Sequence, residues 1–241
     1  MIFTIFSTDA HKPMLALNLA ALCTQNRSKT LLIDATAAAD LQNWGLRRDD
    51  AGIKPKIAIR SAHQLCAGLQ DPQSYYRSHY QNIIIDADGS DRGNTDAILE
   101  VCDVLLLPIW LEPGNLKCDR YLIERIENAR LCNPMLHVLI VGVRPLSASG
   151  EGIRQVDEKL KLLAQDVIAA NLADTMIDER MEDTYLFGQG RSLFEGNPCN
   201  QRAVSEIKAL YQEIVHISSV QLAPAAIGNA VLNALQRVMH R

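Results

Sequence analysis

A lysine and two aspartates stand at the ends of short apolar runs, which suits them to hold a nucleotide phosphate and its metal. Lys12 closes the stretch FSTDAHK, directly behind the apolar run Ile2–Phe6 and ahead of a helical pattern. Asp34 ends TLLID and Asp86 ends NIIID. Nucleotide enzymes hold Mg²⁺ or position a water with such an aspartate, at the carboxyl edge of a sheet. Each residue also has a plainer reading. Lys12 can bind phosphate or pair locally with Asp9. Asp34 and Asp86 can hold Mg²⁺ or cap the helices that follow. His11 can serve as a general base or sit in a surface loop. Asp88 and Asp91, in DADGSD, can position water or form the turn.

Parallel strands alternating with helices are needed to bring these residues together. Apolar strands are expected at 2–6, 30–34, 82–86, 103–109 and 137–143, with a short sixth at 167–172. Helical patterns occupy 13–25, 94–102, 116–131, 151–165, 179–187 and 200–216. Continuous apolar strands separated by helices signal a parallel sheet covered on both faces. The fold class is therefore α/β, doubly wound, with a mainly parallel sheet. Ligands in such a sheet lie at the carboxyl ends of the strands, where the first loop meets a helix N-terminus. The domain reading is one nucleotide-binding-type unit over 1–219 and an appended C-terminal helix over 220–241. That helix begins near Pro224 and places Ile227, Val231, Leu235 and Val238 on one face, suited to its own domain or to a partner.

Composition limits the function classes. The chain has 241 residues, 48% hydrophobic and 22% charged, which fits a globular protein with a sizeable core and argues against long disorder. No apolar run reaches the roughly 18 residues that span a bilayer. MIFTIFSTDA lacks the basic start of a signal peptide. The six cysteines (Cys23, Cys66, Cys102, Cys118, Cys132 and Cys199) form no CxxC pair. A reduced, cytoplasmic setting follows, with neither a disulfide framework nor a metal site expected from them. A net charge of −4 gives no global attraction to nucleic acid. Arg180, Arg191, Arg202 and Lys208 can form a local basic face for weak, non-specific DNA contact. They can equally be a solvated surface, interleaved with Glu179, Glu195 and Glu206.

The ordered set of these pieces resembles the ParA/MinD family of deviant Walker-A ATPases, which position plasmids, chromosomes and other cargo. The matching pieces are Lys12 followed by a helix with LNLA at 17–20, then LLID at 31–34 with Trp44 downstream. YQNIIIDADGSD resembles the family's Walker B strand and loop, and AILEVCDVLLLPIWLEPGNL its next helix and strand. GRSLFEGNPCNQRAVSEIKALYQEI resembles its closing turn and helix. The likeness spans about residues 1–216 and runs towards the branch of partition and T-DNA-transfer accessory proteins.

The first loop departs from the family pattern K-G-G-x-G-K-[ST]-[ST]. On that pattern residues 7–14 read Ser7, Thr8, Asp9, Ala10, His11, Lys12, Pro13 and Met14. Only Lys12 matches. Glycines let successive backbone N–H groups curl around phosphate in conformations costly for residues with a Cβ. Thr8, Asp9 and His11 fill all three glycine positions. Asp9 also sets a negative charge where phosphate would lie. Two unit charges about 4 Å apart cost roughly 4 kcal/mol at an effective dielectric near 20. Pro13 replaces the hydroxyl that ligates Mg²⁺, although it suits the first turn of a helix. Ser7 replaces the lysine that, in the family, reaches the partner's nucleotide. Thr36 and Ala37 replace the acidic and proline positions of D-x-D-P.

The resemblance, with these departures, implies a pseudo-ATPase. Thr8, Asp9, His11, Lys12 and Pro13 form a degenerate phosphate loop, and Asp9 or Thr8 caps the first helix in place of an external anion. Lys12, Asp34 and Asp86 are relics of the catalytic set. No cofactor is expected, with ATP and Mg²⁺ bound only if the loop is still competent; Asp34 and Asp86 are the metal ligands in that case. The implied role is a binding or scaffold component in cargo positioning, plasmid partition or DNA transfer, with a protein partner from that system. Any homodimer is independent of nucleotide, with the tail helix as its contributor. The alternatives are a working ATPase with an unusual loop and an ATP-dependent synthetase on the same fold.

Overall fold

Runs such as FTI, LLI, III and VLLL carry apolar side chains on both alternating faces, so each strand must be covered from both sides. The computed structural model describes residues 1–6, 13–62, 75–88, 92–111, 120–145, 160–161, 164, 170–196 and 200–220. Its strands are β1 (Ile2–Phe6), β2 (Thr30–Ala35), β3 (Ala58–Ser61), β4 (Asn82–Ala87), β5 (Val104–Trp110), β6 (His137–Arg144), β7 (Ala170–Leu172) and β8 (Ile177–Asp178). They form one sheet in the order β3-β2-β4-β1-β5-β6-β7, with β8 also alongside β6. Every pairing among them is parallel. The helices are α1 (Pro13–Gln25), α2 (Asp40–Asp50), α3 (Tyr75–His79), α4 (Arg92–Val101), α5 (Arg120–Cys132), α6 (Met181–Gly188) and α7 (Gln201–Ser219).

The alternation of side chains divides the core into two layers. Ile33, Ile83, Ile85 and Leu105 gather on one face with Ile98 and Leu99 of α4 and Ile126 of α5. Phe3, Ile5, Leu32 and Ile84 gather on the other face with α1, Leu41 and Trp44 of α2, and Ile207 and Leu210 of α7. α1 packs against β2 and β4 and is flanked by α2 and α7, so every residue from Leu15 to Cys23 is buried, and its sequence shows no polar face. α7 is one-sided, burying Ala203, Val204, Ile207, Leu210 and Ile214. It starts where the Asn200 side chain accepts the Ala203 N–H at 3.1 Å, an N-cap.

The central strands fall within one or two residues of their expected places, and α1 coincides with its expected span. Four elements were not expected. β3 is a short edge strand with Arg60 exposed, and α2 buries only Leu41, Trp44 and Arg48. α3 buries nothing, and β8 is two residues long. None carries a long apolar period. β7 (Ala170–Leu172) matches the end of the strand expected over 167–172, whose first three residues lie outside the described residues. Most of the helix expected at 151–165, and the tail beyond Val220, lie outside the described residues.

Candidate functional site

The register of the sheet brings the two strand-end aspartates together. Asp34 of β2 is paired with Asp86 of β4, and Asp86 is paired in turn with Ile5 of β1. Both carboxylates lie on the face that α1 and α2 cover, since Leu32 and Ile84, two residues earlier, belong to that layer. Asp34 and Asp86 are 2% and 1% exposed, whereas Asp88 is half-buried. β1 ends at Phe6 beside Ala87. α1 then begins at Pro13, which is buried. Thr8, Asp9, His11 and Lys12, with Asp91, fall outside the described residues. The focus of the sheet's carboxyl edge is therefore framed by Phe6, Asp34, Asp86 and Pro13.

Asp34 is engaged on both carboxylate oxygens. Its Oδ2 accepts the N–H groups of Leu41 at 3.0 Å and Gln42 at 3.2 Å. Its Oδ1 accepts the Thr36 hydroxyl at 2.8 Å and the Thr36 N–H at 3.2 Å. Leu41 and Gln42 lie in the first turn of α2, whose own N-cap residue is Ala39, without a side-chain bond and at φ 53°. That left-handed conformation is costly for alanine. Asp34 supplies from the strand the anion that α2 lacks at its own cap.

Three stretches that carried the family resemblance meet in one scaffold. Asn18, within LNLA, accepts the Leu193 N–H at 2.9 Å. Trp44 donates its Nε1–H to the Arg191 carbonyl at 3.1 Å. Arg48, only 2% exposed, grips Glu195 with two bonds of 2.6 and 2.7 Å. The same guanidinium donates to the carbonyls of Pro55 and Gly190. Burial by itself would raise the Glu195 carboxyl; hydrogen bonds from Arg48 and the Ser192 N–H outweigh it and hold the group below its ordinary value. Gly190 has φ +70, and a Cβ there would meet the Arg48 backbone nitrogen at 2.4 Å. This glycine is required by both conformation and space.

Beside the first turns of α1 is a cavity of about 210 Å³, between the ends of β5 and β6 and the start of α6. Met14, Trp110, Val143 and Ile177 supply apolar walls, and Asp183 and Asn18 supply polar ones. Asp183 Oδ1 has no hydrogen-bond partner among the described residues. Burial pushes its carboxyl up to about 7; Arg180 opposes the rise, and Glu182, Glu206 and Glu179 add to it. The sequence reading missed Asp183. Its one signal, an acidic residue in the first turn of a helix, is common to many solvated helices.

The basic residues singled out for DNA are for the most part engaged within the chain. Arg180 pairs with Glu206 at 2.5 Å and is 12% exposed. Arg202 pairs with Asp178 at 2.7 Å yet keeps 68% of its side chain exposed. Arg144 joins the same cluster through Asp178 at 2.5 Å. Arg191 donates to the Glu195 carbonyl at 2.9 Å. Lys208 is exposed. Among the described residues no helix is long and apolar enough to cross a membrane, and no group of three His, Cys, Asp or Glu residues is placed to hold a metal. Cys23, Cys102 and Cys132 are free thiols.

The comparisons with known proteins agree with this geometry. No protein-family model matches the chain. Over 210 residues it is 25% identical to the maintenance of carboxysome distribution protein A of Halothiobacillus neapolitanus, covering 85% of this chain and 90% of that one. Its fold is similar to apo McdA of Cyanothece, with a TM-score of 0.63 at 17% identity over 87% of this chain and 100% of the other. It is also similar to a putative plasmid partition protein of Borrelia burgdorferi solved with AMPPNP. There the TM-score is 0.60 at 17% identity, over 90% of this chain and 98% of the other.

Proposed function

We propose that this chain, a divergent member of the ParA/MinD family, is a binding or scaffold component of a positioning or partition system and does not hydrolyse ATP. Its partner is a protein of that system. Its cargo is one whose distribution must be maintained, as the name of its curated relative states for carboxysomes.

The observation that carries this reading is Pro13. It stands buried at the first position of α1, where the family places the hydroxyl that ligates Mg²⁺, and it offers neither hydroxyl nor N–H. Asp34 supports the same reading, because a magnesium ion there would compete with four protein donors. On these grounds the residues present do not fit a Mg·ATP centre of the family's kind. The sequence of the first loop supports the same reading, because Asp9 puts a negative charge at one of the family's glycine positions, where it or Thr8 is suited to cap the first helix in place of an external anion. Self-association is then independent of nucleotide, and weak DNA contact runs through the exposed Arg202 and Lys208.

The decisive measurement is thermal unfolding with and without millimolar Mg·ATP. A ligand at a hundred times its Kd stabilises by about 2.7 kcal/mol. In a chain of this length each kcal/mol moves Tm by about 2–4 °C, so binding would raise it by roughly 5–11 °C. No shift is expected in the parent protein, whereas Asp9→Ala should lose stability and gain affinity for sulfate. A clear Mg·ATP-dependent rise in the parent would reject the pseudo-ATPase reading in favour of a working ATPase with an unusual loop.

A further inference from the structure

We propose that the cavity beside α1 and α6 binds a small primary amine, with its ammonium group paired to Asp183 and its hydrocarbon body against Met14, Trp110, Val143 and Ile177. Asp183 lines the cavity from the first turn of α6. Its Oδ1 is closed off from solvent and accepts no hydrogen bond among the described residues. A buried acceptor without a donor is costly, and a donor brought by a ligand removes that cost. Arg180 also lines the cavity, but its guanidinium is engaged elsewhere. It bonds Glu206 at 2.5 Å and the Asp178 carbonyl at 2.8 Å.

Charge and size select the ligand class. Burial above all pushes the Asp183 carboxyl up to about 7; Glu182 of its own helix, Glu206 of α7 and Glu179 add to the rise, and Arg180 opposes it. Asp178 of β8, at the cavity wall, is taken up by Arg144 and Arg202. From α2, Arg47 lies over the Phe187 ring at 5.0 Å, and α1 brings Met14, Leu15 and Asn18, none of them charged. An ammonium group supplies both the N–H donors and the positive charge that an ionised Asp183 lacks. Among the described residues no group of three His, Cys, Asp or Glu side chains is placed to hold a metal, so an organic cation fits where a bare ion does not. An apolar cavity of about 150 Å³ accepts one benzene ring. The volume of about 210 Å³ here therefore admits a ring, or a chain of similar bulk, with a short aminoalkyl arm.

The test is calorimetric titration of the full-length protein with phenethylamine, with 2-phenylethanol as its uncharged counterpart. At pH 8 the amine should bind with a Kd below about 1 mM, and the alcohol about tenfold or more weakly. A primary amine stays protonated from pH 5 to pH 8, whereas Asp183, with its carboxyl at about 7, is ionised at the upper value and neutral at the lower. Affinity should therefore fall roughly a hundredfold from pH 8 to pH 5. Asp183→Asn, which keeps the shape of the side chain, should weaken binding about tenfold or more at pH 8 and remove the pH dependence. Nuclear Overhauser contacts from the bound ring to Met14 and Ile177 should locate the ligand. Ring contacts elsewhere would overturn the proposal, and so would the absence of saturable binding at pH 8. It also fails if the alcohol binds as well as the amine, or if Asp183→Asn binds as the parent does. Displacement of the amine by Mg·ATP would overturn it too, because the cavity would then belong to a nucleotide site.

Discussion

Replacing Asp34 by alanine separates a cap from a metal ligand. The substitution removes four hydrogen bonds, from the Leu41 and Gln42 N–H groups and from the hydroxyl and N–H of Thr36. Leu41 is fully buried, so its N–H has no water to turn to. Loss of an N-cap costs about 0.5–2 kcal/mol, and a buried donor left unpaired costs about 1–3 kcal/mol more. A combined loss of about 3 kcal/mol corresponds to a fall in Tm of about 6–12 °C for a chain of this size. Asp34→Asn keeps one acceptor but turns an amide towards N–H donors, so it should recover less than half of that. Both variants are to be followed by thermal unfolding and by urea titration, each with and without Mg²⁺. The fall should be the same in both conditions. A variant as stable as the parent without Mg²⁺, which loses a Mg²⁺-dependent stabilisation that the parent shows, would refute the cap and restore Asp34 as a ligand.

The buried ion pair and the carboxylate in the cavity give two further expectations. Glu195→Ala leaves the Arg48 guanidinium buried without its carboxylate and should cost about 3–5 kcal/mol, whereas Arg48→Met combined with Glu195→Leu should recover most of the loss. Because Glu195 is held below 4.5, its contribution is present above that pH and is lost as pH falls through the depressed value, so Glu195→Gln should flatten the acid limb of stability. Asp183 has the opposite sign. Its carboxyl is raised from 3.8 to about 7, so the associated stability is full below pH 3.8 and is lost as pH rises through 7. Asp183→Asn should raise Tm at pH 8 and leave it little changed at pH 4, which unfolding curves at the two pH values would check.

The parts legible in the sequence are those whose signal is a repeated apolar period. β1, β2, β4, β5 and β6 are buried on both faces, and an unbroken run of such residues has few other stable placements. α2 was not legible, because DLQNWGLRRDD buries only three side chains. One of these is Arg48, and a polar residue in a helical stretch reads as solvent-facing until its partner is known. That partner, Glu195, lies 147 positions away. The cavity was hidden for the same reason. Met14, Trp110, Val143, Ile177 and Asp183 come from five separate elements, and no local spacing links them.

On the proposed reading, the fold at the candidate site is held by bonds that do not depend on a ligand. A phosphate loop stabilises the folded chain only when nucleotide is bound, so its glycines and hydroxyl add nothing to the unliganded core. The bonds from Asn18 to Leu193, Trp44 to Arg191 and Arg48 to Glu195 tie α1, α2 and the closing turn together without any ligand. Loss of any one of them takes a hydrogen-bond partner from a buried or part-buried polar group. Substitution is therefore cheap at the loop and costly at the scaffold. Asp34 stands on the boundary between the two: it keeps the family's aspartate, but four protein donors hold it in place. An aspartate with that second employment survives whether or not a metal is ever bound, so its presence alone is no evidence of catalysis.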